Sequence, residues 1–205
     1  MTVRVKICGV TLLEDALAAV RLGADALGFN FWPGSRRFIA PGPAREIIRR
    51  LPPLVTSVGV FVDPSHEEAV AAAAISGVQV IQLHGGEPPL FCRAFQLPVL
   101  KAVPVGGPEA LAAAEPWAGL AGLLLDAPSA GHGGSGRTCH WPTARALAGR
   151  GPVILAGGLH PGNVAAAVAA VRPWAVDVAS GVESSPGVKD HELMARFIAA
   201  AKEAP

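Results

Sequence analysis

Cys8 ends the run VRVKIC and is followed at once by Gly9. A cysteine does chemistry as its thiolate, and Lys6, two residues earlier on the same side of an extended chain, favours that form. Asp126 closes GLLLD, a run otherwise wholly apolar. A carboxyl group there can be a general acid or base, or simply the cap of the helix that follows. Gly157 and Gly158 in LAGGLHPGNV, and Ser180 and Gly181 in ASGVESSPG, present bare backbone N–H groups, which is the chemistry of a phosphate site. Arg36, Arg37 and Arg137 lie in the loops FWPGSRRFI and PSAGHGGSGRT, where a guanidinium can grip a carboxylate through two parallel hydrogen bonds. His84 ends VQVIQLH and can line the same site. No set of histidines has metal-ligand spacing, and Cys8, Cys92 and Cys139 are an odd count without a CxxC pair. Free thiols are expected, with no structural metal.

These residues need a scaffold, and the hydrophobic pattern supplies one. Eight β-type runs (3–8, 24–31, 55–62, 78–84, 98–103, 121–126, 152–157 and 175–180) alternate with helix-type runs such as LLEDALAAVRLG, SHEEAVAAAAISG and HELMARFIAAAKEA. Alternation of this kind gives right-handed parallel crossovers. The count of eight, with no GxGxxG in the first unit, favours a closed (β/α)8 TIM barrel over an open doubly wound sheet. All 205 residues are assigned to a single compact domain, residues 1–205. In such barrels the site forms at the C-terminal ends of the strands, where Cys8, Asn30, Asp63, His84, Lys101, Asp126, Gly157 and Ser180 fall.

Parity within the runs assigns directions. Val3, Val5 and Ile7 belong against the helices, so Arg4, Lys6 and Cys8 point inward, as does Asp177 between Val176 and Val178. The first and last strands of a closed barrel are neighbours. Lys6 and Asp177 should therefore pair inside it, since neither charge is tolerable there alone.

The formal net charge of +1, without a basic tract, excludes a nucleic-acid or anionic-membrane surface. MTVRVKICGV has a charge within its apolar stretch and is neither a secretory signal nor a span. A cytoplasmic protein acting on a small molecule is expected.

Seven blocks occur in order: KICGVT, GFNFWPGSRRFI, VGVFVD, IQLHGGE, LLLDAP with GGSGRTCHW, LAGGLHPGNV and VDVASGVESSPGVKDHE. Together they resemble the phosphoribosylanthranilate isomerases of tryptophan biosynthesis over essentially the whole chain. The resemblance implies a (β/α)8 barrel and a cofactor-free Amadori rearrangement of a sugar-phosphate substrate. It assigns the general base to Cys8, the general acid to Asp126, and the grip on the anthranilate carboxylate to Arg37. It places phosphate at Gly157, Gly158, Ser180 and Gly181. His140 stands where the family's usual aspartate would be, in GGSGRTCHW. The family includes monomers and dimers, and a homodimer is the expectation here. Two rivals remain at this stage: another sugar-phosphate isomerase or epimerase on the same fold, and a non-catalytic sugar-phosphate binder.

Overall fold

The computed structural model describes residues 2–128 and 138–204. Eight parallel strands form in chain order: β1 (Arg4–Cys8), β2 (Ala26–Asn30), β3 (Thr56–Phe61), β4 (Val80–Leu83), β5 (Val99–Pro104), β6 (Gly122–Asp126), β7 (Val153–Leu155) and β8 (Ala175–Val178). Each pairs with the next, and β8 returns to pair with β1, so the sheet closes into a barrel and the open-sheet alternative is ruled out. The register sets Lys6 directly opposite Asp177.

The helices are α1 (Leu13–Arg21), α2 (Pro41–Ile48), α3 (His66–Ser76), α4 (Pro89–Cys92), α5 (Ala110–Ala113), α6 (Trp141–Ala148), α7 (Val164–Val171) and α8 (His191–Lys202). Their ends are written in the sequence. Ser65 and Glu68 form a capping box at the start of α3, and Gly77 ends it in the left-handed conformation. The Asp190 side chain accepts the Glu192 and Leu193 N–H groups at the start of α8. The fourth and fifth crossovers have shrunk to single turns of four residues each, PLFC and ALAA, which is how eight units fit this chain.

Two apolar layers result. The larger lies between strands and helices and is built from Val5, Ile7, Leu27, Phe29, Ile81, Leu83, Val176 and the inner faces of α1, α7 and α8. The smaller fills the barrel with Val58, Leu100, Ala102, Leu124, Ile154, Ala156 and Ala175. Lys6 Nζ reaches Asp177 Oδ1 at 2.8 Å inside the barrel, with both side chains buried, as the parity of the two strands requires. Arg4 departs from its expected place. It stands at the exposed lower mouth with its guanidinium 4.5 Å from the centre of the Trp174 ring, because the first residue of an inward row is already outside the barrel floor.

After β8 comes a 3₁₀ turn (Ser180–Val182) and then a two-stranded antiparallel ribbon, β9 (Glu183–Ser185) and β10 (Val188–Lys189). The ribbon has no counterpart in the hydrophobic pattern, because five residues of mixed polarity in two short strands carry no measurable period. The loop containing Arg137 and the GHGGSGR glycines lies outside the described residues. No helix among the described residues is long and apolar enough to cross a membrane.

Candidate active site

The C-terminal mouth of the barrel holds a cavity of about 340 Å³, lined by Cys8, Asn30, Arg37, Gln82, His84, Asp126, Gly157, Gly158, Asp177 and Ser180 among others. Six of the expected site residues with side chains or bare amides (Cys8, Arg37, His84, Asp126, Gly157 and Gly158) meet there, with Ser180 as a seventh. Gly181 does not line it. A side chain at Gly181 would collide with the Leu159 carbonyl, so this glycine lets the loops after β7 and β8 pack against each other. Asp63 and Lys101 also stay out of the cavity. The Asp63 carboxylate accepts the Gly86 N–H at 2.6 Å, and Lys101 is buried in an ion pair with Glu87 at 3.0 Å. His140 Nδ1 lies 2.8 Å from Thr143 Oγ1 at the head of α6, away from the cavity.

Cys8 ends β1, with its side chain partly exposed. It fits because its neighbour in β2 is Gly28: a β-carbon there would sit 2.7 Å from Cys8 Sγ and 3.2 Å from Lys6 Cε. Burial pushes the Cys8 thiol above its ordinary value; Lys6 pulls it down, Asp177 opposes that pull, and burial wins. The expectation that Lys6 alone would favour the thiolate is thus corrected. For Lys6, burial by itself would favour the neutral amine, but Asp177 and Cys8 together outweigh it and the ammonium is held more tightly than usual.

Across the mouth, Asp126 ends β6. Its Oδ1 accepts the Ala127 N–H at 2.8 Å and its Oδ2 lies 3.2 Å from His84 Nε2. Gly157 approaches this carboxylate so closely that a β-carbon would lie 2.6 Å from the Ala127 nitrogen and 2.8 Å from Asp126 Oδ1, and its φ of +78° excludes most side chains as well. The Gly157–Gly158 turn and the 3₁₀ turn beginning at Ser180 stand side by side after β7 and β8.

Arg37 is not free. Its Nε donates to Glu183 Oε1 at 2.8 Å and its Nη2 to Oε2 at 2.6 Å, leaving Nη1 unengaged by the bonds to this carboxylate. Glu183 also accepts from Lys189 Nζ at 2.7 Å, and the same ammonium donates to the backbone carbonyl of Cys8 at 2.6 Å. The ribbon β9–β10 therefore ties the strand end that carries Cys8 to the arginine loop. Burial lowers the proton affinity of Lys189. For Glu183, burial acts to raise it, yet Arg37 and Lys189 together bring the carboxyl below its usual range.

Sequence reasoning missed Glu183, Lys189 and Gln82. For the first two there was no signal, since their roles arise from a ribbon too short to have a pattern. Gln82 had one: in VQVIQLH it shares parity with Val80 and His84, so the argument applied to Lys6 would have turned it inward.

Fold and mouth together are those of a (β/α)8 enzyme barrel, with a thiol and a carboxyl group on opposite walls and the Gly157–Gly158 and Ser180 turns beside them. The profile of the N-(5'phosphoribosyl)anthranilate (PRA) isomerase family matches residues 5–200. The chain belongs to that family and is an enzyme of the isomerase class. It is 52% identical over 201 residues to the N-(5'-phosphoribosyl)anthranilate isomerase of Geobacter sp. (strain M21), covering 98% of each. To the Myxococcus xanthus (strain DK1622) enzyme it is 49% identical over 206 residues, covering 98% of this chain and 97% of that one. The phosphoribosyl anthranilate isomerase structure from Thermotoga maritima superposes with a TM-score of 0.93 at 46% identity, covering 98% of each chain. Another structure of the enzyme, in complex with reduced 1-(o-carboxyphenylamino)-1-deoxyribulose 5-phosphate, gives a TM-score of 0.88 at 43% identity and the same coverage.

The Glu183 network makes an acid-stability prediction. A carboxyl group whose folded value is depressed adds stability above its unfolded value, about pH 4.3, and loses it as pH falls through the lower folded value. Glu183→Gln should lower stability at pH 7 by about 3–5 kcal/mol, because it leaves Lys189 buried without its counter-charge. It should also flatten the acid limb of the urea midpoint plotted against pH. Equal midpoints for the two proteins at pH 7 would remove Glu183 from this role.

Proposed function

We propose that this enzyme converts N-(5-phosphoribosyl)anthranilate to 1-(2-carboxyphenylamino)-1-deoxyribulose 5-phosphate in tryptophan biosynthesis, in the cytoplasm, by a cofactor-free Amadori rearrangement. The observation that carries this reading is the placing of Cys8 and Asp126 on strands 1 and 6, so that both line one cavity beside the Gly157–Gly158 turn and Ser180. The solved relative that holds a reduced form of this product supports it.

In the proposed reaction the substrate phosphate binds the N–H groups of the Gly157–Gly158 turn and of the 3₁₀ turn at Ser180. The anthranilate carboxylate takes the side of Arg37 that Glu183 leaves open. Binding both ends fixes the ribose between the two walls, so that remote contacts supply orientation at the reacting carbons. Asp126, protonated, gives its proton to the ring oxygen. The C1–O bond breaks with its electrons going to oxygen, and the nitrogen lone pair closes a Schiff base. Cys8, as thiolate, then removes the proton from C2 and an enol-amine forms. Tautomerisation gives the ketone.

Burial keeps the Cys8 thiol neutral in the empty site. The positive charge that develops on the Schiff base nitrogen is what turns this around: in a dry cavity a nearby cation strongly favours the thiolate. The base is thus generated when it is needed.

Loss of phosphoribosylanthranilate fluorescence on adding the protein, without metal or cofactor, tests the reaction. Cys8→Ala and Asp126→Asn should each slow it by about 10²–10⁴-fold, the usual weight of a general acid or base, while still binding the reduced product analogue. Turnover near the wild-type rate in either variant would remove that residue from the mechanism, and no fluorescence loss with wild type would refute the activity.

The protein is also proposed to be a homodimer. At the opposite, N-terminal mouth Leu54 is fully exposed in a positive-φ turn, and Trp174 is half exposed beside a cavity of about 470 Å³ that both residues line. A second copy would cover them, and a dimeric enzyme is known from Thermotoga maritima. Light scattering should give twice the 20.9 kDa chain mass, and Leu54→Glu should halve it; a monomer in wild type contradicts the assignment.

A further inference from the structure

His84 Nε2 lies 3.2 Å from Asp126 Oδ2, and on the other side of the ring His84 Nδ1 lies 3.1 Å from the Gln82 amide. Gln82 is 1% exposed, and its amide oxygen has no hydrogen-bond partner among the described residues. The imidazole and the carboxylate are both largely shielded from solvent. Three polar groups in a line, ending on the proposed acid, call for an account of where the hydrogens are.

Two arrangements fit these heavy atoms, because the oxygen and nitrogen ends of an amide have the same shape. In the first, the Gln82 NH2 donates to Nδ1, and the ring carries its hydrogen on Nε2 and donates to an Asp126 carboxylate. In the second, the amide is turned over. Its oxygen accepts from Nδ1–H, and one proton is held between Nε2 and Oδ2. Each leaves one buried amide atom without a partner, so packing does not choose between them. The chemistry does. The first arrangement has no proton for Asp126 to give; the second has one.

We propose that Gln82, His84 and Asp126 work as a single proton-storing unit, with Gln82 positioning the imidazole and the acidic proton shared between His84 Nε2 and Asp126 Oδ2. This rests on the reading of Asp126 as the general acid. In the cycle, Oδ2 gives the shared proton to the ring oxygen as the C1–O bond breaks. A neutral imidazole and a carboxylate then face each other lone pair to lone pair, with a place for one proton between them. It takes the proton of the C2 hydroxyl as the ketone forms, while the proton that Cys8 removed from C2 is delivered to C1. Two protons leave the substrate's C2 centre, one arrives at C1, one has arrived at the ring oxygen, and both enzyme groups are restored.

Among the described residues around this mouth, Cys8 and Arg36 also line the cavity, and three charge networks stand beside it. Lys6 pairs with Asp177, Lys101 with Glu87, and Arg37 and Lys189 with Glu183. The Cys139 thiol, facing Asp126 from the segment before α6, is pushed up to about 12 by burial and by the Asp126 charge, and stays neutral.

The test is the pH dependence of kcat in His84→Gln, which keeps an amide near the Nε2 position but cannot store a proton. A second variant, Gln82→Met, keeps the volume and, by removing the acceptor for Nδ1–H, frees the ring to carry its hydrogen on Nε2 instead. Activity requires the stored proton, so it is lost as pH rises through the titration of the unit. Both variants should move that alkaline limb to lower pH, and His84→Gln should lower kcat about tenfold or more, with binding of the reduced product analogue changed by less than about threefold. If His84 merely steadied a carboxylate, its loss would move the limb to higher pH or leave it in place, and either result overturns the proposal. Should His84→Gln fail to fold, the direction of the shift in Gln82→Met decides alone. Asp126→Asn retaining turnover would sink the general acid and this unit together, whereas an inactive Asp126→Asn with unmoved limbs in the other two variants sinks only the unit.

Discussion

The ion pair of Lys6 with Asp177 is the constraint on which the rest of the structure depends. It joins the first strand to the last, at 2.8 Å, inside a barrel filled otherwise mostly by apolar side chains. Such a pair is poor value as a source of stability, since desolvation of both charges offsets much of their attraction, but breaking it is expensive. What it specifies is register. With β1 and β8 aligned so that Lys6 opposes Asp177, Cys8 emerges at the floor of the mouth, level with Gly28, and no slip by one residue keeps either charge paired.

A second buried charge network repeats the logic one layer higher. Glu183 receives Arg37 and Lys189, and Lys189 holds the Cys8 carbonyl. The arginine that faces the cavity and the strand end that carries the thiol are thereby fixed relative to each other by a ribbon of five residues. Positioning of this kind matters because Cys8 and Asp126, the proposed base and acid, would have to meet one substrate together, and a misplacement of about 1 Å costs rate steeply. Both networks fix geometry around Cys8, but burial outweighs the pull of Lys6 and Lys189 and holds its thiol above the ordinary value.

How much of this could be read from the sequence follows from which signals are local. The eight strands, their closure and the inward row of Lys6 and Cys8 came from period and parity, both of which act within one element. The Lys6–Asp177 pair was also legible, because closure makes the first and last strands neighbours and leaves two opposite charges facing one interior. Arg4 was misplaced because parity gives direction but not depth, and the barrel floor lies above it. Glu183 and Lys189 were invisible: their meaning depends on a ribbon whose hydrophobic pattern is too short to see and on contacts with residues more than a hundred positions away. The sense of Lys6 acting on Cys8 was read from adjacency alone, and the structure reverses the outcome through burial, a quantity adjacency does not carry.

The measurement that tests the central claim most directly is turnover by a double variant, Lys6→Met with Asp177→Leu, compared with Asp177→Ala alone. If the pair exists to set register and charge around Cys8 more than to hold the barrel together, the double variant should regain most of the roughly 3–5 kcal/mol lost by Asp177→Ala in urea unfolding. Its kcat/KM should nevertheless stay at least about tenfold below wild type, one power of ten being about 1.4 kcal/mol of lost transition-state stabilisation. A refolded double variant with wild-type turnover would contradict the account, because the thiol would then owe nothing to the charges beneath it.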